Sequence, residues 1–120
     1  MAEGTTVNSL QEKALRFRDE RNWKQYHDPK NLAEALSIEA GELLELFLWK
    51  SKKEVQELVR SKTGKSRIRE ETADIFIYLL FITDSVGVDL SDAVLEKLEI
   101  NRKKYPVEKS RSSSRKYTEL

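Results

Sequence analysis

The chain has 120 residues, with 22 basic side chains, 21 acidic side chains and one histidine, which gives a formal net charge of +1. This length suits one domain, and the absence of cysteine excludes a disulfide framework, an iron–sulfur cluster, a thiolate zinc site and a thiol nucleophile. The longest apolar run, residues 75–82, is far shorter than the roughly 20 residues of a membrane helix and the N-terminus lacks the features of a signal peptide, so we expect a soluble, cytoplasmic protein without a membrane partner.

Few glycines and prolines interrupt the sequence, and apolar residues recur at intervals of three and four, which predicts an all-α fold. We expect a bundle of four main helices plus a short helix. Helix one is predicted to begin at Ser9, whose spacing to Glu12 fits a capping box, and to run towards Asn22. Residues 23–27 are predicted to form a short loop.

Helix two is predicted to begin at Pro29, because aspartate is a favoured N-cap and proline is favoured at the first helical position. Asp28 and Pro29 stand in that order, and the apolar pattern continues to about Trp49. Ser51 and Glu54 have the spacing of another capping box, which predicts the short helix.

The rest of the chain is predicted to contain two further helices. Residues 63–66 form a basic loop in this interpretation, and helix three runs from about Arg67 to a left-handed C-terminal position at Gly87. Helix four begins near Ser91 and stops before Pro106, since the residue before a proline disfavours the α conformation.

The predicted organisation has three parts. Residues 1–8 form a flexible N-terminus, residues 9–106 form the helical domain, and residues 107–120 form a basic tail rich in serine and arginine. Residues 101–120 carry seven basic and two acidic side chains, and the tail has little apolar surface to bury. We therefore expect the isolated tail to be mobile.

The acidic residues of helices two and three stand in an unusual context. At about 100° per residue, Glu39 lies in the middle of an apolar arc, with Glu42 on its flank. The arc consists of Leu32, Leu36, Leu43, Leu46 and Phe47. Helix three repeats the pattern, because Glu71, Asp74 and Tyr78 share one stripe of a helix that is apolar on all sides over residues 75–82.

Two carboxylates one turn apart on each of two helices predict a cluster of four acids that needs positive charge. Oxygen ligands without histidine suit Mg²⁺, with Mn²⁺ as a substitute, and a di-iron centre is excluded because its Glu-x-x-His pairs are missing. Mg²⁺ commonly completes its shell with substrate phosphates, so we expect a phosphate ester or anhydride as substrate.

Other residues are candidates for substrate binding. Cationic and amide donors recur at spacings of four and three on helix four, at Lys97, Asn101 and Lys104. Flat rings that could stack on a nucleobase are found at Trp23, Trp49 and Tyr78.

Several alternatives remain open from the residues alone. Glu39 and Glu71 could pair with basic side chains of another helix or subunit, the aromatic residues could belong to the core, and His27 could belong to the capping region of helix two. The chain could then be a non-catalytic helical interaction module. A nucleic-acid-binding role for the basic tail is the third possibility, and we do not expect it.

The motifs Glu39-Ala-Gly-Glu42 and Glu71-Thr-Ala-Asp74 resemble the signature of the MazG-like all-α nucleoside triphosphate pyrophosphohydrolases. The similarity is greater to the dCTP pyrophosphatase branch of this family, and it extends from about Leu10 to the end of the chain. It is carried by residues 17–32 before the first motif, residues 45–50 after it, residues 101–106 and residues 112–120.

The resemblance implies Mg²⁺-dependent hydrolysis of a deoxycytidine-type triphosphate to the monophosphate and pyrophosphate, by a homotetramer built as a dimer of dimers. Its metal ligands fall on Glu39, Glu42, Glu71 and Asp74. Its base- and sugar-contacting positions fall on Trp23, Gln25, His27, Trp49 and Tyr78. Some vertebrate members carry a histidine where this chain has Ala14, which leaves the base preference open, including the discrimination of methylated cytosine. A preference for another nucleoside triphosphate such as dUTP is the alternative. The apolar faces of helix three independently predict a homo-oligomer.

Overall fold

A computed structural model describes residues 4–119, apart from the side chain of Tyr117. All regular structure in this range is helical, which confirms the all-α prediction, although it holds six α-helices where five were predicted. The α-helices are α1 (Val7–Glu20), α2 (Pro29–Glu45), α3 (Lys52–Arg60), α4 (Lys62–Val86), α5 (Leu90–Lys104) and α6 (Val107–Ser110). Two short 3-10 helices cover Lys24–Tyr26 and Tyr117–Glu119.

The start of α1 differs from its prediction. Thr6, not Ser9, is the N-cap, and Ser9 closes the capping box from the third helical position. The Thr6 side chain accepts from the Ser9 N–H at 3.0 Å, and the Ser9 hydroxyl accepts from the Thr6 N–H at 2.8 Å. Thr6-x-x-Ser9 and Ser9-x-x-Glu12 both have the required spacing, and the helix forms at the earlier pair.

The predicted starts of α2 and α3 are confirmed. The Asp28 side chain accepts from the Asn31 N–H with Pro29 in the first turn, and Ser51 and Glu54 form a reciprocal capping box. Helix α2 ends at Glu45, earlier than predicted, and turns cover residues 46–49.

The predicted basic loop at residues 63–66 is wrong, because α4 already begins at Lys62. Ser61 ends α3 and caps α4, accepting from the Gly64 N–H at 2.9 Å. Gly64 is buried, and a Cβ there would overlap the Leu58 carbonyl oxygen. The glycine therefore permits a close approach between the two helices and does not mark a loop.

Helices α1–α4 form one compact unit, which ends at Gly87. Helix α4 packs against α1, α2 and α3, so it is the central helix of this unit. The buried apolar residues are Leu32, Leu46, Leu80 and Phe81. Gly87 adopts the predicted left-handed conformation, with a φ of 70°.

The second compact unit begins at Val88. Asp89 caps α5, which ends at Lys104 before Pro106 as predicted. Several large apolar side chains of α5 are exposed within the unit, among them Val94, Leu95 and Leu98. Helix α6 and the second 3-10 helix lie in the segment predicted to be the tail. In the range the structure describes, every helix is too short or too polar to cross a membrane.

Candidate functional site

The acidic residues of α2 and α4 converge where the two helices pack together. One carboxylate oxygen each from Glu39, Glu42 and Glu71 lies within 4.8 Å of the others, and we call these three residues the acid cluster. Glu39 and Glu42 are one turn apart on α2, and Glu71 faces them from α4. The structure therefore brings together three of the four acids predicted to form a metal site.

Asp74 lies outside this group of three but is electrostatically linked to it. Its negative charge contributes to the raised pKa values of both Glu39 and Glu71. Asp74 is exposed, one turn beyond Glu71 on the same face of α4. It therefore borders the acid cluster from the solvent side.

Two carboxyl groups of the acid cluster, those of Glu39 and Glu71, have raised pKa values. Burial raises the pKa of Glu39 from 4.5 to about 7, with further contributions from the carboxylates of Glu42, Glu71 and Asp74. Burial is also the largest cause of the raised pKa of Glu71. Proximity and loss of hydration both disfavour the charged form, so a cation at this point would relieve both.

The donor set fits a hard divalent cation. Glu39 Oε2 and Glu71 Oε2 are buried and have no hydrogen-bond partner among the described residues. Among residues 4–119, the ion pairs formed by lysine and arginine do not involve the four acids. Carboxylate oxygens are the ligands that Mg²⁺ and Mn²⁺ prefer.

A polar cavity of about 420 Å³ adjoins the acid cluster. Glu42 and Glu71 line this cavity, together with Lys50 and Arg67. The remaining lining residues are Glu45, Leu46 and Leu58. The sequence reasoning missed Lys50 and Arg67, although Arg67 stands four residues before Glu71 and so on the same helical face.

Tyr78 lies beside the acids, as its position on their stripe predicted. Burial raises its pKa, and the charges of Glu39, Asp74 and Glu42 raise it further. Its ring packs edge-on against Phe81, with centroids 6.1 Å apart. Tyr78 therefore borders the acid cluster on the side towards the C-terminal end of α4.

The two tryptophans are both accessible. Trp49 is 93% exposed and adopts a left-handed backbone conformation with a φ of 60°. Trp23 is 43% exposed and packs edge-on against Phe17 at 5.7 Å. The Arg21 guanidinium lies over the Trp23 ring, 5.9 Å from its centroid. Core packing therefore does not account for Trp49 in this unit, and its ring is open to stacking.

Residues 23–27, which we call loop 23–27, contain the first 3-10 helix. Gln25 donates its side-chain amide to the Asn22 carbonyl at 3.0 Å. The His27 ring lies 4.6 Å from the Phe81 ring, and its Nδ1 is buried without a hydrogen-bond partner among the described residues. Burial, followed by the charge of Arg18, lowers the pKa of His27.

The remaining candidates belong to α5 and α1. Lys97 is exposed and Asn101 half-buried on α5, in the second unit, and their role in substrate binding stays a prediction. Ala14 lines an apolar cavity of about 470 Å³ between α1 and α4, with Phe17 and Ile77. At about 100° per residue, that face of α4 points away from the acidic face.

Comparison with known proteins finds relatives that cover most of the chain. The model of the MazG-like family matches residues 35–120. Human dCTP pyrophosphatase 1 is 44% identical over 115 residues, which cover 96% of this chain and 68% of the human protein, and the bovine protein is 43% identical over the same shares. A pyrophosphatase of Archaeoglobus fulgidus has a similar crystal structure, with a TM-score of 0.77 and 41% identity over 88% of this chain and 97% of that chain.

Proposed function

This chain belongs to the MazG-like family, and we propose that it hydrolyses dCTP, or a closely related deoxynucleoside triphosphate, to the monophosphate and pyrophosphate. The observation that carries the proposal is the acid cluster, whose carboxylates converge from α2 and α4. A structural role would require basic partners, and the ion pairs of the described residues leave these acids out. The similarity to dCTP pyrophosphatases supplies the substrate class.

We propose that Mg²⁺ is the cofactor and that Glu39, Glu42, Glu71 and Asp74 hold it, with Mn²⁺ as a substitute. When bound, the cation supplies positive charge to the triphosphate and to the departing pyrophosphate. The two unpartnered carboxylate oxygens support this assignment, because a buried anion needs a compensating charge.

The chain's own residues have distinct tasks in this reaction. A carboxylate accepts a proton from water as the water oxygen bonds to the α-phosphorus, and the bond from that phosphorus to the bridging oxygen of pyrophosphate breaks. Glu42 is our candidate for this base, because it is exposed at the edge of the acid cluster and lines the polar cavity. No covalent nucleophile is required.

We assign the base and the sugar to the aromatic side of the site. Tyr78, His27 and Phe81 form a continuous contact there, and Trp23, Gln25 and Trp49 are accessible. Stacking on such rings holds the flat face of a nucleobase. Lys97 and Asn101 remain candidates for the phosphates.

We also propose that the chain assembles as a homotetramer and acts in the cytoplasm. The apolar cavity between α1 and α4 and the exposed apolar residues of α5 support self-association, since a monomer rarely leaves large apolar patches open. Light scattering at micromolar concentration tests the assembly, and a monomer would contradict it. The location is proposed because the cysteine-free composition suits a reducing compartment.

The experiment that tests the reaction is pyrophosphate release from a panel of (deoxy)nucleoside triphosphates in ¹⁸O-labelled water. We expect Mg²⁺-dependent release, with dCTP among the best substrates and the label in the monophosphate. Glu42→Gln should abolish release, and Glu34→Gln, which alters an exposed glutamate of the same helix, should not. A preference for dUTP would identify the alternative substrate. No release from any nucleotide would contradict the proposal and favour the interaction module.

A further inference from the structure

Among the residues that the structure describes, Arg18 is the one polar or charged residue that is buried, with 5% of its surface exposed. Its position in the last turn of α1 gives it access to α4. A guanidinium in such a place must be fully paired, because an unpaired buried charge strongly destabilises a fold. The carboxylates that pair with Arg18 therefore hold its side chain in one position within the unit formed by α1–α4.

Arg18 joins the ends of two helices. Its Nε and Nη2 lie 2.9 and 2.8 Å from Asp19 Oδ1, and its Nη1 lies 3.2 Å from Asp84 Oδ2. Asp84 is in the last turn of α4. The planar guanidinium donates to both carboxylates at once, which a lysine could not do with the same geometry.

The backbone of Arg18 holds the start of loop 23–27. Its carbonyl oxygen accepts from the Trp23 N–H at 3.1 Å. Asn22, between them, has a φ of 55°, a left-handed conformation that reverses the chain direction. One residue therefore fastens the loop through its carbonyl and the neighbouring helix through its side chain.

The other end of the loop reaches the candidate site. The His27 ring packs on Phe81, and Phe81 packs on Tyr78, which stands four residues after Asp74. The charge of Arg18 also contributes to lowering the pKa of His27. Loop 23–27 is thus held at its start by the Arg18 carbonyl and at its end by the ring contacts of His27 and Phe81.

We propose that Arg18, through its ion pair with Asp84, is a positioning residue that holds loop 23–27 against α4 and fixes His27 on Phe81. The position of loop 23–27 in turn sets the geometry of the base and sugar contacts, and this step rests on the proposed function. Arg18 itself does not touch the reacting atoms. Its effect is on the residues that receive the nucleoside.

The single histidine of the chain makes the position of the loop directly measurable. In the wild type, the His27 ring protons should show a ring-current shift from Phe81 in an NMR spectrum recorded where the imidazole is neutral. Arg18→Met should remove most of that shift, and Asp84→Asn should remove part of it, because the asparagine oxygen can still accept a hydrogen bond from Arg18 but the charge of its partner on α4 is gone. Lys30→Met is the control, since it breaks an exposed ion pair three residues beyond His27.

Kinetics with dCTP and Mg²⁺ test the functional step. Arg18→Met should raise KM about tenfold with kcat within about twofold, the pattern of a lost binding contact, and Lys30→Met should change neither value. A purely structural role would lower the active fraction and hence kcat at unchanged KM. If Arg18→Met does not fold, Asp84→Asn decides both tests.

An unchanged His27 signal and an unchanged KM in a folded variant would overturn the proposal. So would a displaced signal in the Lys30→Met control, because loop position would then depend on any nearby charge. Failure of the proposed function looks different. An inactive wild type would contradict that function, and the NMR result would still decide whether Arg18 positions the loop.

Discussion

Replacement of Glu39 by glutamine should stabilise the metal-free protein at neutral pH. Glu39 has a folded-state pKa of about 7 against 4.5, so the folded state binds more protons than the unfolded state between these values. The contribution of the Glu39 carboxyl to the free energy of unfolding is therefore fully present below pH 4.5 and is lost as the pH rises through about 7. Glutamine has nearly the same shape and no charge, so the variant does not lose this stability as the pH rises.

The size of the effect follows from the shift. A rise from 4.5 to about 7 corresponds to about 3 kcal/mol at about 1.4 kcal/mol per pKa unit. Glu39 is partly accessible, and water screens its charge, so we expect about 1–2 kcal/mol. For a chain of this length, that equals a rise in melting temperature of about 4–8 °C.

Thermal unfolding followed by circular dichroism at a fixed protein concentration, with a chelator present, measures this difference. Glu39→Gln should exceed the wild type in melting temperature at pH 7.5 and match it near pH 4.5. Added Mg²⁺ should stabilise the wild type and have less effect on the variant. Glu34→Gln, an exposed change on the same helix, should follow the wild-type profile. A wild type whose metal-free stability does not fall between pH 4.5 and 7.5 would contradict the raised pKa of Glu39.

Three further substitutions test separate parts of the structure. Asp74→Asn should fold normally but lose about 100-fold or more in kcat and weaken the Mg²⁺ dependence; near-wild-type turnover would remove Asp74 from the site. Trp49→Ala should raise KM about tenfold, consistent with about 1–3 kcal/mol for a stacked base, without lowering the melting temperature, because the ring is 93% exposed. A drop in stability with unchanged KM would instead place Trp49 in a packed interface. Gly64→Ala should cost about 2 kcal/mol or more in unfolding free energy, since its Cβ would overlap the Leu58 carbonyl; the exposed Ser66→Ala is the control, and equal stability of the two would contradict the close approach of α3 and α4.

Local signals in the sequence predicted the fold where one residue determines the backbone. Asp28 with Pro29 marks the start of α2, and Gly87 marks the end of α4, because capping oxygens, a fixed proline φ and a left-handed glycine act within a few residues. The beginning of α4 was missed for the opposite reason. Gly64 looks like a loop residue, and only its contact with Leu58 in α3 explains it.

The acid cluster was predictable because it violates the apolar pattern. Glu39 interrupts a leucine arc, and Glu71 and Asp74 precede the most apolar segment of the chain. Helical geometry then places the acids on facing helices, but which oxygens approach most closely depends on packing. The structure accordingly separates Asp74 from the group of three.

Arg18 could not have been predicted to be buried from its own segment. Basic residues surround it in α1, and nothing in their spacing distinguishes it from the exposed Arg16 and Arg21. Its burial depends on Asp84, 66 residues away, so the tertiary contact decides it. The shared cavity of Lys50 and Arg67 also depends on tertiary contacts, because only the packed helices bring these two residues together.

The most direct test of the central claim is a crystal structure with Mn²⁺ and a non-hydrolysable dCTP analogue, with anomalous scattering recorded for the manganese. We predict a manganese peak between α2 and α4, coordinated by carboxylates of Glu39, Glu42, Glu71 and Asp74 and by phosphate oxygens of the analogue. A bound analogue without manganese at these acids, or with the acids paired to arginine or lysine of a neighbouring subunit, would contradict it.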